Sequence, residues 1–262
     1  MAPRDIDDRD SEAWAALRSL TAARIGLTRA GASLATGPLL DFRLAHARAR
    51  DAVHAPFEQA RLHGRLAECG ISVLSVASAA ADRREYLMRP DLGRRLAADA
   101  DGVLAPHAGA WDLVLVVTDG LSAQAVERHA APLLAGLLPG LTAEGWRVAP
   151  LVVVRHGRVA VGDAVAAALG ASSVVVLIGE RPGLSSPDSM GAYLTWRPQP
   201  ATTDADRNCL SNIRPDGVRP AAAAVTLTHL LRAMRTRRLS GVRLKDESDA
   251  VRDGRAGEVP LR

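Results

Sequence analysis

Val174-Val-Val-Leu-Ile178 is a continuous, mostly β-branched apolar run that ends abruptly at Gly179. A strand with no polar alternation is one buried on both faces, which is the situation in a parallel sheet covered by helices on either side. The next eleven residues, Gly179 to Ser189, belong to a loop: Gly179, Pro182, Gly183 and Pro187 break regular structure, and Glu180, Arg181, Ser185, Ser186 and Asp188 crowd polar groups onto the strand's carboxyl end. In open α/β sheets ligands bind at that end. A plain connecting loop also needs turn residues and caps, so spacing alone leaves the two explanations level.

Three more apolar runs have strand character, at Ile71–Val76, Trp111–Thr118 and Val148–Val154, with Ser173–Ile178 the fourth. Helical periodicity fits between several of them, at Ser122–Leu138 and Val161–Leu169. This alternation predicts βαβ units and a parallel sheet. The expected fold class is therefore α/β, a parallel-sheet Rossmann-like domain preceded by a helical N-terminal region. Residues 1–20 are expected to be a flexible N-terminal segment, 21–70 helical, 71–248 the α/β domain and 249–262 a flexible tail.

Within the first segment Trp14, Leu17 and Leu20 suggest a short amphipathic helix. Thr21–Thr36 is rich in small residues and predicts irregular packing. A helix should start near Thr36, with Pro38 in its first turn, and be kinked or ended by Pro56; a second runs from about Glu58 to Gly70. Between Val76 and Trp111 the connection is long enough for a helix and a functional loop. Asp204–Gly217 reads as a structured binding loop containing Cys209, Pro220–Arg238 as a helix, and Leu239–Ser248 as a short strand or edge.

If the strands are parallel, their carboxyl ends bring Asp119, Gly120 and Ser122, the His156–Asp163 turn and Glu180–Ser189 to one edge, where a crevice can form. No Gly-x-Gly-x-x-Gly follows any of these strands, no Gly-Lys pair occurs, and no Gly-x-Ser-x-Gly elbow exists, which disfavours standard dinucleotide, Walker-type and serine hydrolase sites. The two cysteines, Cys69 and Cys209, lack zinc spacing, and His46 and His54 are spaced more as solvated histidines than as a metal pair, so no metal site is expected. Cys209 has no nearby histidine to form a thiolate, which points to contact or burial and leaves no catalytic residue assigned. The formal net charge of +4 comes almost wholly from arginine, Lys245 being the single lysine. Those arginines are scattered among 29 acidic residues and aromatics make up 3%, so no nucleic-acid partner is expected. The apolar runs are too short to span a bilayer and the N-terminus lacks a signal-peptide core, so the expected setting is cytoplasmic, with no membrane partner.

Seven stretches in order carry a resemblance: Ala23-Arg-Ile-Gly-Leu, Leu44-Ala-His-Ala-Arg-Ala-Arg-Asp-Ala-Val-His, Arg89-Pro-Asp-Leu-Gly-Arg-Arg-Leu, Thr118-Asp-Gly-Leu-Ser, Gly179-Glu-Arg-Pro-Gly-Leu-Ser-Ser-Pro-Asp-Ser, Arg207-Asn-Cys-Leu-Ser-Asn-Ile and Ser240-Gly-Val-Arg-Leu-Lys. Together they resemble the small (light) subunit of ethanolamine ammonia-lyase, over about Thr21 to Glu247. The resemblance implies adenosylcobalamin as cofactor, a radical conversion of ethanolamine to acetaldehyde and ammonia, and a large-subunit partner in an α6β6 hetero-oligomer, in some bacteria inside a microcompartment. It implies cofactor contacts at Val159, Glu180 and Cys209, with Val161 the alternative to Val159, makes 21–70 the partner-docking region and 71–248 the cobalamin-contacting domain, and assigns this chain no acid, base or nucleophile. Asp-x-His-x-x-Gly, the signature of cobalamin binders that replace the lower base with histidine, is absent, so the base is expected to stay on cobalt. Two rival classes remain: an independent α/β enzyme with an unlisted nucleotide loop, and a structural partner that touches no ligand.

Overall fold

The structure, a computed structural model, describes residues 8–27, 29–30 and 32–246; the expected flexible tail at 249–262 and the first seven residues lie outside them. Helix α1, Asp8–Ser19, begins earlier than the Trp14–Leu20 spacing suggests. A tight antiparallel pair, β1 (Arg29–Ala30) and β2 (Ser33–Leu34), occupies the stretch that reads as irregular in the sequence. Helix α2, Thr36–His54, stops before Pro56, and α3, Gln59–Ala67, follows.

The body is a six-stranded sheet. Its strands are β3 (Val73–Ala77), β4 (Val114–Thr118), β5 (Leu151–Arg155), β6 (Ser173–Gly179), β7 (Met190–Trp196) and β8 (Arg207–Ile213), in the order β3-β5-β4-β6-β7-β8. Strands β3, β5, β4 and β6 are mutually parallel, while β7 runs antiparallel to β6 and β8 antiparallel to β7. The sheet is thus mixed and mostly parallel, and three sequence expectations are corrected. The loop after β6 leads into an antiparallel strand, which the Gly191 in Met-Gly-Ala-Tyr-Leu-Thr-Trp disguises. Half of the supposed binding loop Asp204–Gly217 is β8, an edge strand that exposes Cys209, Ser211 and Asn212 and so has a polar composition. The expected strand after Leu239 is instead a single 3-10 turn at Gly241–Arg243.

Helices α4 (Arg83–Met88) and α5 (Ala100–Leu104) occupy the long β3–β4 connection; α6 (Ala123–Ala143) joins β4 to β5, α7 (Val161–Leu169) joins β5 to β6, and α8 (Pro220–Arg237) follows β8. Alternate residues of each central strand feed two separate cores. Leu113, Leu115, Val117, Leu151, Val153, Val175 and Leu177 pack with α3, α6 and α8, whereas Val114, Val116, Val152, Val154, Val174 and Val176 pack with α5 and α7. Each such Val or Leu stabilises the sheet by about 1.5–3 kcal/mol, and central strands have this burial on both sides at once. The steps β3 to β4 and β5 to β6 move one way along the sheet with α5 and α7 on one face; the step β4 to β5 moves back with α6 on the other. Direction and face change together, as one crossover hand requires.

Candidate functional site

Because the first four sheet strands are parallel, β4, β5 and β6 all end at the same edge, with Asp119, His156 and Glu180 as their first residues beyond the ladder. Two of these ends press together. A Cβ on Gly179 would sit 2.0 Å from the Ser122 carbonyl oxygen and one on Gly120, whose φ is +53°, would sit 2.3 Å from the Gly179 carbonyl oxygen. The Leu121 N–H then donates to that same Gly179 oxygen at 2.9 Å. Only glycine permits this contact, and it fixes where Glu180 leaves the sheet.

Asp119, 1% exposed, organises the neighbouring end. It accepts hydrogen bonds from the His156 backbone N–H (2.6 Å) and from Arg83 Nη1 (3.0 Å), and its Oδ2 lies 3.1 Å from His156 Nδ1. Arg83 also donates to the Gly120 carbonyl (2.6 Å) and, from Nε, to Val53 at the end of α2 (2.8 Å). His156 is held at φ 60°, a left-handed conformation that costs a non-glycine residue and persists because these partners over-determine it. Tyr86 completes the cluster: its ring stacks on His156, lies beneath the Arg158 guanidinium at 4.3 Å, and its hydroxyl donates to the Gly157 carbonyl at 3.3 Å. Burial pushes the Tyr86 phenol well above its ordinary value, with Arg158 pulling the other way, so it stays a neutral donor.

In front of these ends lies a cleft of about 780 Å³. Its walls come from Tyr86, Pro90 and Arg94 of the β3–β4 connection, Arg158–Ala160 before α7, Glu180 and Arg181 after β6, and Tyr193, Asp204 and Arg207 of the antiparallel extension. Val159 and Glu180 therefore face one space. Cys209 does not line it but sits one strand further, paired in register with Tyr193, which does. Val161, the alternative to Val159, is fully buried in the core with β6 and does not reach the cleft.

Glu180 is fixed through one oxygen: Oε2 accepts from the Ser189 hydroxyl and from the Asn212 N–H at 3.2 Å, leaving Oε1 without a hydrogen bond among the described residues. The Cys209 thiol is pushed up by burial and by the Glu180 carboxylate, against a hydrogen bond with Tyr193, so it is a thiol and not a nucleophilic thiolate at neutral pH. The Tyr193 phenol is raised mainly by burial, then by Cys209. Arg207, its side chain 2% exposed, makes a bidentate pair with Asp163 of α7 (2.7 and 2.6 Å) and donates to Thr195 (2.9 Å). Its Nε and the Arg158 Nε are buried without a hydrogen-bond partner.

The sequence places the carboxyl edge and the 156–163 turn together, and the long β3–β4 connection also lines the cleft. The sequence did not single out Arg207, Tyr193, Tyr86 or Arg94. Arg207 lay in plain view beside Cys209, but its partner Asp163 is distant in sequence and only the fold joins them. Among the described residues no cluster of three or more His, Cys, Asp or Glu could hold a metal ion, and no helix is long and apolar enough to cross a membrane.

Comparison with known proteins places relatives beside this geometry. A family profile described as ethanolamine ammonia-lyase light chain matches residues 11–245. The chain is 55% identical to the ethanolamine ammonia-lyase small subunit of Azotobacter vinelandii over 94% of its own length and 93% of that protein's. It is 55% identical to the protein of that name from Ralstonia nicotianae, covering 95% and 90% of the two chains, and 54% identical to that of Pseudomonas fluorescens, covering 90% and 87%.

Proposed function

The chain belongs to the ethanolamine ammonia-lyase light-chain family, and from that premise we propose that its cleft forms one wall of an adenosylcobalamin site completed by the large subunit. The observation that carries this is the meeting of Val159 and Glu180 in one open cleft at the carboxyl edge of the sheet, with Cys209 next to Tyr193. The side chains present suit a corrinoid, whose rim carries neutral carboxamides around an apolar ring. Glu180 Oε1 is a free, pre-oriented acceptor for amide N–H groups, and Val159, Pro90, Leu121 and Ile178 supply apolar contact. When bound, the cofactor supplies a radical by homolysis of its cobalt–carbon bond.

What this chain contributes is placement. The Asp119–Arg83–His156 cluster holds the turn that carries Val159; the Gly120–Gly179 contact and the Ser189 and Asn212 donors hold Glu180. None of the groups lining the cleft forms a nucleophile–base pair, and Cys209 is a raised-pKa thiol, so the chain binds, orients and excludes water while ethanolamine reacts on the partner. The assembly is read as an α6β6 hetero-oligomer, cytoplasmic and in some hosts enclosed in a microcompartment. Residues 21–70 are read as the partner-docking region: α2 leaves Leu40, Phe42 and Leu44 exposed. The parallel strands β3–β6 with helices on both faces are read as the Rossmann-like part of the chain.

The test is reconstitution. The purified chain, its large subunit, and the mixture are each supplied with adenosylcobalamin and ethanolamine, and acetaldehyde is followed together with visible corrinoid absorption. Activity and colour should appear in the mixture. Sustained turnover by the lone chain, or a colourless and inactive mixture, would overturn the proposal.

A further inference from the structure

Four arginines line the cleft, and they are not equivalent. Arg207 is neutralised by its bidentate pair with Asp163, whereas Arg94, Arg158 and Arg181 make no ion pair with a carboxylate among the described residues. Two of these three are brought together by the backbone. The Arg158 N–H donates to the Gly93 carbonyl at 2.7 Å, and the two chains approach so closely that a Cβ on Gly93 would meet Arg158 Cγ at 2.9 Å. Arg94 follows directly. The Arg158 guanidinium lies over the Tyr86 ring, 4.3 Å from its centroid, with Nη2 3.5 Å from the Tyr86 carbonyl oxygen and Nε buried without a hydrogen bond. The cation–π contact holds the guanidinium in place but leaves most of its donor capacity unused.

Beside it the chain enters α7. The N–H groups of Val159 and Ala160, both lining the cleft, donate to no acceptor among the described residues. An uncompensated arginine pair, free backbone donors and the positive end of a nine-residue helix thus converge on one side of the cleft. Glu180, with Arg181 next to it, lines the cleft from the end of β6, and Asp204 from the turn before β8. A ligand with one anionic group and otherwise neutral amides is oriented by this asymmetry, its anion drawn to the Arg94–Arg158 side and its amides to Glu180.

We propose that Arg94 and Arg158, with the turn before α7, hold a phosphodiester, namely the anionic nucleotide tail of the corrinoid. The inference rests on the cofactor reading above and deepens it, since the corrin rim offers only neutral amides to arginine. It makes these residues determinants of corrinoid choice: complete cobalamins are favoured over corrinoids that lack the tail.

The experiment uses the complex with the large subunit. Cyanocobalamin and cyanocobinamide, the same ring without the nucleotide tail, are titrated by visible absorption into wild type, Arg94→Gln and Arg158→Gln. Arg94 is exposed, so its variant reports even if loss of the Tyr86 stack unfolds the other. Each substitution should weaken cobalamin roughly tenfold, the effect of one charge-assisted hydrogen bond, and leave cobinamide within about twofold. Parallel loss of both ligands, or loss of neither, overturns the phosphodiester assignment while leaving the cofactor reading in place. A wild-type complex that binds neither corrinoid overturns both.

Discussion

Asp163→Ala should be among the most damaging single substitutions on the cleft side of the sheet. Its carboxylate is the main partner of a guanidinium that is 2% exposed, through bonds of 2.7 and 2.6 Å, and it is itself 16% exposed. Burial opposes the charge on Arg207, but the hydrogen bonds and field of Asp163 outweigh it and raise the Arg207 pKa. Alanine therefore leaves a buried cation with Thr195 and a fully exposed Asp204, 3.9 Å from Nε and screened by solvent, at a cost of about 3–5 kcal/mol. For a chain of this size 1 kcal/mol moves the melting temperature by about 2–4 °C, so the midpoint should fall by roughly 6–20 °C. Replacing both partners, Asp163→Ala with Arg207→Met, removes the stranded charge and should recover at least half of that loss, because an apolar pair in such a site is often close to neutral. The assay is thermal unfolding followed by far-ultraviolet circular dichroism, with amide exchange at residues 156–163 as the local readout. A drop below about 2 °C for the single variant, or a double variant whose loss is the sum of the singles, would refute the reasoning.

Gly179→Ala forces a Cβ to within 2.0 Å of a backbone oxygen that cannot swing aside, so its stability loss should reach or exceed the upper end of the usual overpacking range, about 3 kcal/mol, read from the urea midpoint. His129 is buried, its Nε2 without a hydrogen bond and 3.6 Å from Asp188 Oδ2, and desolvation lowers its pKa against the pull of that carboxylate. Its contribution is complete above the unfolded value of about 6.5 and is lost as pH falls through the lower folded value, so His129→Gln should flatten the stability profile below about pH 6.5; an unchanged slope refutes this. Glu180→Ala should weaken cobalamin binding roughly tenfold to a hundredfold with the melting temperature nearly unchanged, and an unaltered dissociation constant would remove Glu180 from the site. Cys209→Ser should keep most activity of the complex whereas Cys209→Trp should block cofactor binding; an inactive serine variant with cofactor bound would show that the thiol does chemistry.

The parts of the fold legible in the sequence are those where burial leaves a one-dimensional trace. Strands β4, β5 and β6 are buried on both faces and write unbroken apolar runs, and α7 has an apolar face closed by Gly170 at φ 72°. β7 and β8 leave no such trace. β7 begins Met-Gly, and β8 is an edge strand that exposes Cys209, Ser211 and Asn212, so Cys209 read as a loop residue. For the site, strand ends and turn composition sufficed to place Glu180 and the 156–163 turn at one edge. The pairings that hold them, Asp119 with Arg83 and His156, and Asp163 with Arg207, join residues 36 to 44 positions apart and have no local signature.

The antiparallel extension is what turns a sheet edge into a two-walled cleft. Another parallel strand would require a crossover helix lying across one face next to β6, as α7 does next to β4. Instead β7 starts at the carboxyl edge and β8 returns to it, so no crossover helix is added; α6 against β7 and α8 against both strands cover them, on the side of Leu194, Ala192 and Ile213. The opposite side of the same strands carries Tyr193 and Cys209 in direct register, Tyr193 packing against the α7-side core and facing the cleft together with the 202–204 turn. The return of β8 also delivers the Asn212 N–H to Glu180 Oε2 and, through Arg207, ties the far wall to α7. Both walls are therefore fixed before any ligand arrives, one by the Asp119 cluster and one by the Arg207–Asp163 pair, with Glu180 between them. A cavity pre-set in this way orders few side chains on binding, which favours a large rigid ligand over a flexible one.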